Sequence, residues 1–130
     1  MIKVGQSLWR GRGVFALRAF EPNEIIEQAP VKVIPLDQIS HVEPTVLDSD
    51  CYRWGELDQE LAVVLGSGSL YNHSIAPNAR YQRRAGELVM EFVATRAIGC
   101  GDKILINDNG QVNDLTEIVF EGETWRWAKS

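Results

Sequence analysis

The stretch that decides the fold is Tyr71-Asn72-His73-Ser74-Ile75-Ala76-Pro77-Asn78-Ala79, which comes directly after the apolar run of residues 57–70. Asn, His and Ser side chains can hydrogen-bond to nearby backbone groups. Pro77 fixes its own φ and disfavours a helical conformation at Ala76. The stretch therefore predicts a shaped polar turn that closes a buried element. A turn that merely ends a helix fits the same local chemistry and stays open as an alternative.

Two further segments place glycine turns before strand-like runs. One is Gly11-Arg12-Gly13-Val14-Phe15-Ala16, and the other is Gly101-Asp102-Lys103-Ile104-Leu105-Ile106-Asn107. In this order and at this spacing, the three segments together resemble the SET domain of protein lysine methyltransferases, most closely the minimal viral and bacterial forms. The resemblance runs from about Gly11 to Asn109 and is weak between Pro35 and Asp58. Its specificity rests on the ungapped Asn-His-Ser-x-x-Pro-Asn string, since Gly-x-Gly alone occurs in many unrelated loops.

The resemblance implies a mainly β fold, β-clip-like, with small antiparallel sheets, a short helix and a C-terminal pseudoknot. A chain of 130 residues with 45% hydrophobic content can close one core and is too short for two ordinary domains. We therefore expect a single domain over residues 1–130. It divides into a family-matched core (residues 11–109), a variable insert (about residues 36–56) and an aromatic tail (residues 117–130).

Short β-like runs punctuated by glycine dominate the chain and favour antiparallel sheets. These runs are residues 2–4, 14–17, 24–34, 79–83, 88–95 and 104–107. Ala85-Gly86 and Glu121-Gly122-Glu123 each separate two such runs and predict hairpin turns. A helix is predicted only over about Leu57 to Leu65, where apolar residues recur at helical spacing.

The charge balance bears on the class of partner. The chain has 13 Lys and Arg against 18 Asp and Glu, a net charge of −5. Such a balance argues against direct nucleic-acid binding, which needs a basic face, and fits a basic protein or peptide better. No apolar stretch reaches the roughly 18 residues of a membrane span, and residues 1–5 lack the apolar segment of a signal peptide. We therefore expect a cytoplasmic protein without membrane contact.

Cysteine usage bears on metals and disulfides. Cys51 and Cys100 lie in unlike contexts, which favours free thiols over a disulfide in a reducing compartment. The sequence carries no cysteine-rich zinc motif, so no structural metal is expected.

The predicted insert carries several acidic residues together with Tyr52 and Trp54. Its composition suits a variable surface segment better than a core strand. In SET proteins the equivalent insert helps to shape the substrate groove, so the resemblance implies that Tyr52 and Trp54 bind substrate. A merely solvated acidic surface is the alternative interpretation.

The resemblance implies S-adenosylmethionine as the cofactor. Methyl transfer to an amine is an in-line displacement that depends mostly on positioning. Gly11 and Gly13 let the main chain approach a ligand closely, although a plain turn is an alternative. By resemblance, Arg12 lies beside the cofactor and its charge meets the methionine carboxylate, while Asn72 and His73 hold the cofactor through side-chain and backbone hydrogen bonds. A solvated arginine is the alternative for Arg12.

One position departs from the family pattern. SET enzymes generally carry a catalytic tyrosine after the last matched strand, where this chain reads Asn107-Asp108-Asn109-Gly110. Asp108 stands at that tyrosine's place and is the candidate catalytic residue. A carboxylate near the lysine amine favours the charged amine, which is a poorer nucleophile. Tyr71 is a second candidate for the missing phenol, with core packing as its alternative role.

The C-terminal tail concentrates aromatic residues where SET proteins close the lysine channel and cover the adenine ring. The resemblance implies that Trp125 contacts the cofactor and that Phe120 and Trp127 contact the substrate. Packing against the core or in a homodimer is the alternative, because two tryptophans two residues apart on a strand face the same side.

The function that the resemblance implies is S-adenosylmethionine-dependent methylation of a lysine side chain in a protein substrate. Two alternatives remain from the sequence. The first is a binding module of the same fold that is weak or inactive in methyl transfer, which Asp108 motivates. The second is a dimeric interaction domain that uses the aromatic tail.

Overall fold

The computed structural model describes residues 1–7, 11–55, 57, 59–107, 119–121 and 124–126. The strands in this part of the chain, in order, are β1 (Ile2–Ser7), β2 (Gly11–Ala16), β3 (Ile25–Ile34), β4 (Cys51–Trp54), β5 (Glu60–Val64), β6 (Asn72–His73), β7 (Ala79–Arg84), β8 (Val89–Ala94), β9 (Lys103–Ile106), β10 (Val119–Glu121) and β11 (Thr124–Arg126). The helices are α1 (Ile39–Val42) and three short 3₁₀ turns at Leu36–Gln38, Val46–Asp50 and Ala85–Glu87.

The described strands form a four-stranded, a five-stranded and a two-stranded sheet. The four-stranded sheet has the order β1-β2-β9-β6, and β6 runs parallel to β9 while the other pairs are antiparallel. The five-stranded sheet has the order β4-β5-β3-β8-β7 and is antiparallel throughout. The remaining pair is β10-β11. The predicted class, mainly β with small antiparallel sheets, is confirmed.

The core lies between the two larger sheets. Met90, Phe92 and Ala94 share one face of β8 and are fully buried, and Glu91 and Val93 on its other face are buried as well. From the four-stranded sheet, Ile104 and Ile106 of β9 enter the same apolar cluster. This shared core fixes the two sheets against each other.

Each of the six predicted β-like runs overlaps a strand of the structure, and both hairpins are confirmed. Strands β7 and β8 pair with Arg84 opposite Val89, joined by the 3₁₀ turn at Ala85–Glu87. Strands β10 and β11 pair with Glu121 opposite Thr124.

The predicted helix over Leu57 to Leu65 is wrong. Glu60–Val64 forms strand β5, which hydrogen-bonds to β3 on one side and to β4 on the other. Ala62 and Val64 are buried, whereas Leu57 is 76% exposed. Burial thus follows the two-residue period of a strand, and the helical spacing of the leucines has no buried face behind it.

The final part of the predicted surface insert is also a core strand. Strand β4 forms an edge of the five-stranded sheet, and Tyr52 and Trp54 are only 4% and 3% exposed. The Tyr52 hydroxyl donates a hydrogen bond to the Gly68 carbonyl oxygen at 2.7 Å. The surface prediction fails here because alternate residues of β4 face the core. It holds better for residues 36–47, where nearly every side chain is exposed or half-buried.

Cys51 and Cys100 are both thiols that form no disulfide, as predicted; Cys51 is buried and Cys100 is exposed. Within the described ranges, no helix is both long enough and apolar enough to span a membrane.

Candidate functional site

Strand β9 brings two of the sequence motifs together, because it lies between β2 and β6. Val14 of β2 pairs with Ile104, and Asn72 of β6 pairs with Leu105. The glycine turn at Gly11-Arg12-Gly13 and the Asn72-His73 pair are therefore neighbours in one sheet, although about 60 residues separate them along the chain.

Gly13 leaves room for the side chain of Asn72. A Cβ placed on Gly13 would lie 2.6 Å from Asn72 Oδ1 and 3.6 Å from Ser7 Cβ. The first of these distances is too short for any real contact, so a side chain at residue 13 would displace the Asn72 amide. Gly11 has a φ of +63°, a conformation that side chains disfavour. Gly11 is thus required by its backbone conformation, and Gly13 by the nearby Asn72 side chain.

The Asn72 amide connects β6 to the glycine turn. Its Nδ2 donates to the Arg12 carbonyl oxygen at 3.1 Å. Its Oδ1 is buried, and among the described residues it has no hydrogen-bond partner. An unsatisfied buried acceptor is costly and unusual in folded proteins. A ligand that offers an N–H group beside Gly13 would satisfy it.

The polar turn after Asn72 is fastened to β9. The Ser74 amide donates to the Ile106 carbonyl at 2.8 Å. The Asn78 side chain accepts from the Leu105 amide at 2.8 Å and donates to the Lys103 carbonyl at 2.9 Å. The predicted shaped turn is confirmed, and the alternative that it ends a helix is wrong, because the preceding element is strand β5.

His73 pairs with Ile106 across β6 and β9 and is half-buried. This pairing sets its main chain in the same sheet as the glycine turn. The prediction that His73 binds the cofactor stays a prediction.

Arg12 is exposed, and its place in the strand puts its side chain on the face opposite that of Gly13. Its charge acts on Asp50, at the end of the second 3₁₀ turn. Burial raises the pKa of the Asp50 carboxyl, and the nearby Arg12 charge opposes that rise. The sequence pattern did not predict this effect of the Arg12 charge on the insert. The role of Arg12 toward the cofactor carboxylate stays a prediction.

Tyr71 lies in the core next to the site. Its ring stacks on Phe92 with the centroids 4.2 Å apart, and its hydroxyl donates to Glu27 Oε1 at 2.8 Å. Burial, followed by the charge of Glu27, raises the pKa of Tyr71 well above its usual range. The hydroxyl is thus protonated and engaged. This packing supports the core alternative for Tyr71 and gives no support to a catalytic one.

The other predicted site residues lie in different surroundings. Tyr52 and Trp54 are buried in the core, which gives no support to their predicted contact with substrate. Phe120 and Trp125 face each other in the register of β10 and β11, and only their backbone is described. Asp108 and Trp127 lie outside the described residues. Strand β11 lies against the 3₁₀ turn at Val46–Asp50, which ends at Asp50.

Two residues of the site were missed from the sequence. Lys103 Nζ donates a hydrogen bond to the buried Ser7 Oγ, next to Gly13. The available signal was the strand period, which places Lys103 and Leu105 on one face of β9. The partner Ser7 lies 96 residues away and could not be inferred.

Residues 11–107 match the SET domain family. The chain is 32% identical over 99 residues to the histone-lysine N-methyltransferase, H3 lysine-37 specific, of Schizosaccharomyces pombe; the match covers 75% of this chain and 66% of that protein. A crystal structure of a candidate histone methyltransferase from Plasmodium falciparum is 34% identical with a TM-score of 0.68, covering 82% of this chain and 90% of the other.

A more distant likeness shows the fold alone. Polycomb Repressive Complex 2 of Chaetomium thermophilum, in an autoinhibited conformation bound to S-adenosylmethionine, is 18% identical with a TM-score of 0.64. That match covers 82% of this chain and 15% of the other.

The fold and the paired glycine and Asn-His motifs therefore define a SET domain. This chain belongs to the SET-domain family of protein lysine methyltransferases.

Proposed function

We propose that this chain transfers a methyl group from S-adenosylmethionine to a lysine side chain of a basic protein. The observation that carries the cofactor assignment is the buried Asn72 Oδ1, which among the described residues lacks a donor and lies where a Gly13 side chain would otherwise be. The cofactor's α-ammonium supplies such a donor. The named relatives act on histones, which makes a histone lysine the first substrate to test.

Methyl transfer requires mainly that the protein position the cofactor and the lysine amine. When bound, S-adenosylmethionine supplies the methyl group on a sulfonium centre that an amine can attack in line. Asn72 and the backbone at Gly13 hold the amino-acid end of that molecule in a fixed place. The pairing of both motifs with β9 keeps this place rigid, because each is tied to the same strand.

Titration calorimetry with S-adenosylhomocysteine tests the pocket. Asn72→Ala should weaken binding by about 1–3 kcal/mol, because a ligand donor loses its buried acceptor. Gly13→Ala should weaken it at least as much, since the new Cβ would meet Asn72 Oδ1.

Gly86→Ala is the matched control for Gly13→Ala. No heavy atom lies within 4 Å of a Cβ at residue 86, so this variant should bind as the wild type does. A folded wild type that gives no heat with S-adenosylhomocysteine at millimolar concentration would overturn the proposed cofactor. Binding without incorporation of labelled methyl into histones or other basic proteins would favour the inactive binding module that Asp108 suggests.

A further inference from the structure

One face of the four-stranded sheet carries small residues next to Gly13 in the register of β1 and β2. Gly5 of β1 stands opposite Gly13 of β2, and Ser7 stands opposite Gly11. Phe15 lies beyond them on the same face, with its ring 3.1 Å from a Cβ placed on Gly5. Because paired residues of a sheet share a face, these residues lie on one surface; the space beside Gly11 is empty, whereas Asn72 Oδ1 lies beside Gly13 and the Phe15 ring lies beside Gly5.

Lys103 brings a cation to this face. It pairs with Phe15 in the register of β9 against β2, so its side chain rises on the same face as Gly13. Its Nζ donates to Ser7 Oγ. Ser7 is only 3% exposed, and its Cβ lies 3.6 Å from a Cβ placed on Gly13. The ammonium is thus held beside Gly13 by a buried hydroxyl.

The same place holds the unsatisfied Asn72 Oδ1. Asn72 pairs with Leu105, two residues after Lys103 in β9, and therefore shares its face. Within the described part of the chain, no carboxylate lies within ion-pair distance of Lys103. The Asn72 Oδ1 acceptor and the Lys103 ammonium, which has no acidic partner there, therefore both lie close to the position that a Gly13 side chain would occupy.

This pair of groups complements an α-amino acid headgroup. Such a headgroup carries an ammonium and a carboxylate on one carbon, which need an acceptor and a cation close together. Arg12, which the sequence suggested for the carboxylate, points to the other face and acts on Asp50. Lys103 is the cation on the side of Asn72.

We propose that Lys103 binds the α-carboxylate of the cofactor's methionine part, with Ser7 positioning its ammonium and Asn72 Oδ1 accepting from the α-ammonium. The inference rests on the proposed function, because it names the residues that recognise the amino-acid end of S-adenosylmethionine. It assigns the carboxylate to a residue outside the glycine and Asn-His motifs.

Binding of two ligands separates this role from a structural one. Wild type, Lys103→Met and Lys103→Arg are titrated with S-adenosylhomocysteine and with 5′-methylthioadenosine, which lacks the amino-acid part. Lys103→Met should lower the affinity for S-adenosylhomocysteine at least tenfold and leave the affinity for 5′-methylthioadenosine within twofold. Lys103→Arg should retain most of the affinity, because it keeps the charge and the donors.

Two further variants serve as comparison. Lys3→Met removes an exposed lysine from the same face of β1 and should leave both affinities unchanged. Arg12→Met tests the competing assignment. A loss of S-adenosylhomocysteine affinity in Arg12→Met together with none in Lys103→Met would overturn the inference and leave the proposed function intact.

A change in the ligand tests the role of Lys103 even if circular dichroism shows that Lys103→Met is unfolded. Decarboxylated S-adenosylhomocysteine should bind wild type at least tenfold more weakly than the parent molecule, and in a folded Lys103→Met it should bind no more weakly than the parent. Equal affinity of wild type for the two ligands would overturn the role of Lys103. A wild type that binds neither ligand nor 5′-methylthioadenosine would instead overturn the proposed function itself.

Discussion

The two ends of the Asn72 amide have different roles: the nitrogen stabilises the fold, and the oxygen belongs to the candidate site. Its Nδ2 donates to the Arg12 carbonyl, while its buried Oδ1 lies beside Gly13. Aspartate at this position would lose the donor and place a negative charge against the carbonyl. Alanine would lose both ends. Residue 72 is therefore required both as a hydrogen-bond donor and as an acceptor, which asparagine provides.

Asp108 is the residue on which activity depends by resemblance, and it lies outside the described residues. If the rest of the site is intact, Asp108→Tyr should raise methyl transfer, because it supplies the phenol of the family and removes a charge that holds the lysine amine protonated. The measurement is incorporation of labelled methyl into histones and other basic proteins at several pH values.

Asp108→Asn is the control for charge alone. It should recover part of the gain if charge is the obstacle, and none if the placement of the hydroxyl matters. A wild type that is already active and is slowed by both substitutions would show that Asp108 takes part in the mechanism, and the prediction would then be wrong.

For single residues, the sequence predicted those in the two motifs better than the distant residues that lie next to them. The Asn-His string and the glycine turn identified the two sides of the site because both are local patterns. Lys103, Ser7 and Asp50 reach the site through strand register and through the insert, so no local pattern marks them. Tyr52 and Trp54 looked suited to a groove, but the alternation of β4 turns both into the core.

Among the elements, strands β3, β8 and β7 share a polar row across the five-stranded sheet. Gln28, Glu91 and Gln82 are cross-strand partners. Glu91 is 1% exposed and accepts from Gln28 Nε2 at 2.7 Å and from Gln82 Nε2 at 2.6 Å. These hydrogen bonds, from Gln28 first, lower the pKa of the Glu91 carboxyl; burial opposes the effect and Arg84 adds to it.

This row predicts a pH dependence of stability. Because the folded pKa of Glu91 lies below its unfolded value of about 4.3, its stabilisation is fully present above that value and is lost as pH falls through the folded pKa. Glu91→Gln should lower the free energy of unfolding by about 1–3 kcal/mol at pH 7. Its difference from wild type should shrink as the pH is lowered from 5 to 3, measured by urea denaturation.

Glu87→Gln provides the matched control. Glu87 also pairs with Arg84, but its side chain is 60% exposed. Its removal should change stability by less than about 0.5 kcal/mol. Equal losses in the two variants, or a Glu91→Gln loss that does not vary with pH, would contradict the role given to the buried carboxylate.

The wrongly predicted helix shows the limit of local spacing. Leu57, Leu61 and Leu65 recur every four residues, which indicates a helix. Glu60–Val64 nevertheless becomes a strand because β3 and β4 satisfy its backbone on both edges, and those partners come from residues 51–54 and 31–34. The hairpins were predictable, because their two strands are adjacent in sequence and their turns contain glycine.

In the whole molecule, the Asn78 amide links the polar turn to β9. It satisfies the Leu105 amide and the Lys103 carbonyl. Asn78→Ala should therefore cost about 1–3 kcal/mol for each backbone group left unsatisfied, measured as the free energy of unfolding. Affinity for S-adenosylhomocysteine should fall as well, because Lys103 and Asn72 are both set by β9.

Ser74→Ala is the comparison within the same turn. It removes an exposed bond from the Ala76 amide and should cost about 0.5–1 kcal/mol. If Asn78→Ala were no more destabilising than Ser74→Ala, the linking role of Asn78 would be disproved.

The position of β9 between β2 and β6 also determines when the site can form during synthesis. During synthesis, the glycine turn and the Asn72-His73 pair emerge first, and they have no common neighbour until residues 103–106 leave the ribosome. Contacts between such distant segments form slowly, because a long loop must close first. Ligand binding therefore requires that β9 has paired with both β2 and β6, and it reports that stage of folding rather than any earlier one.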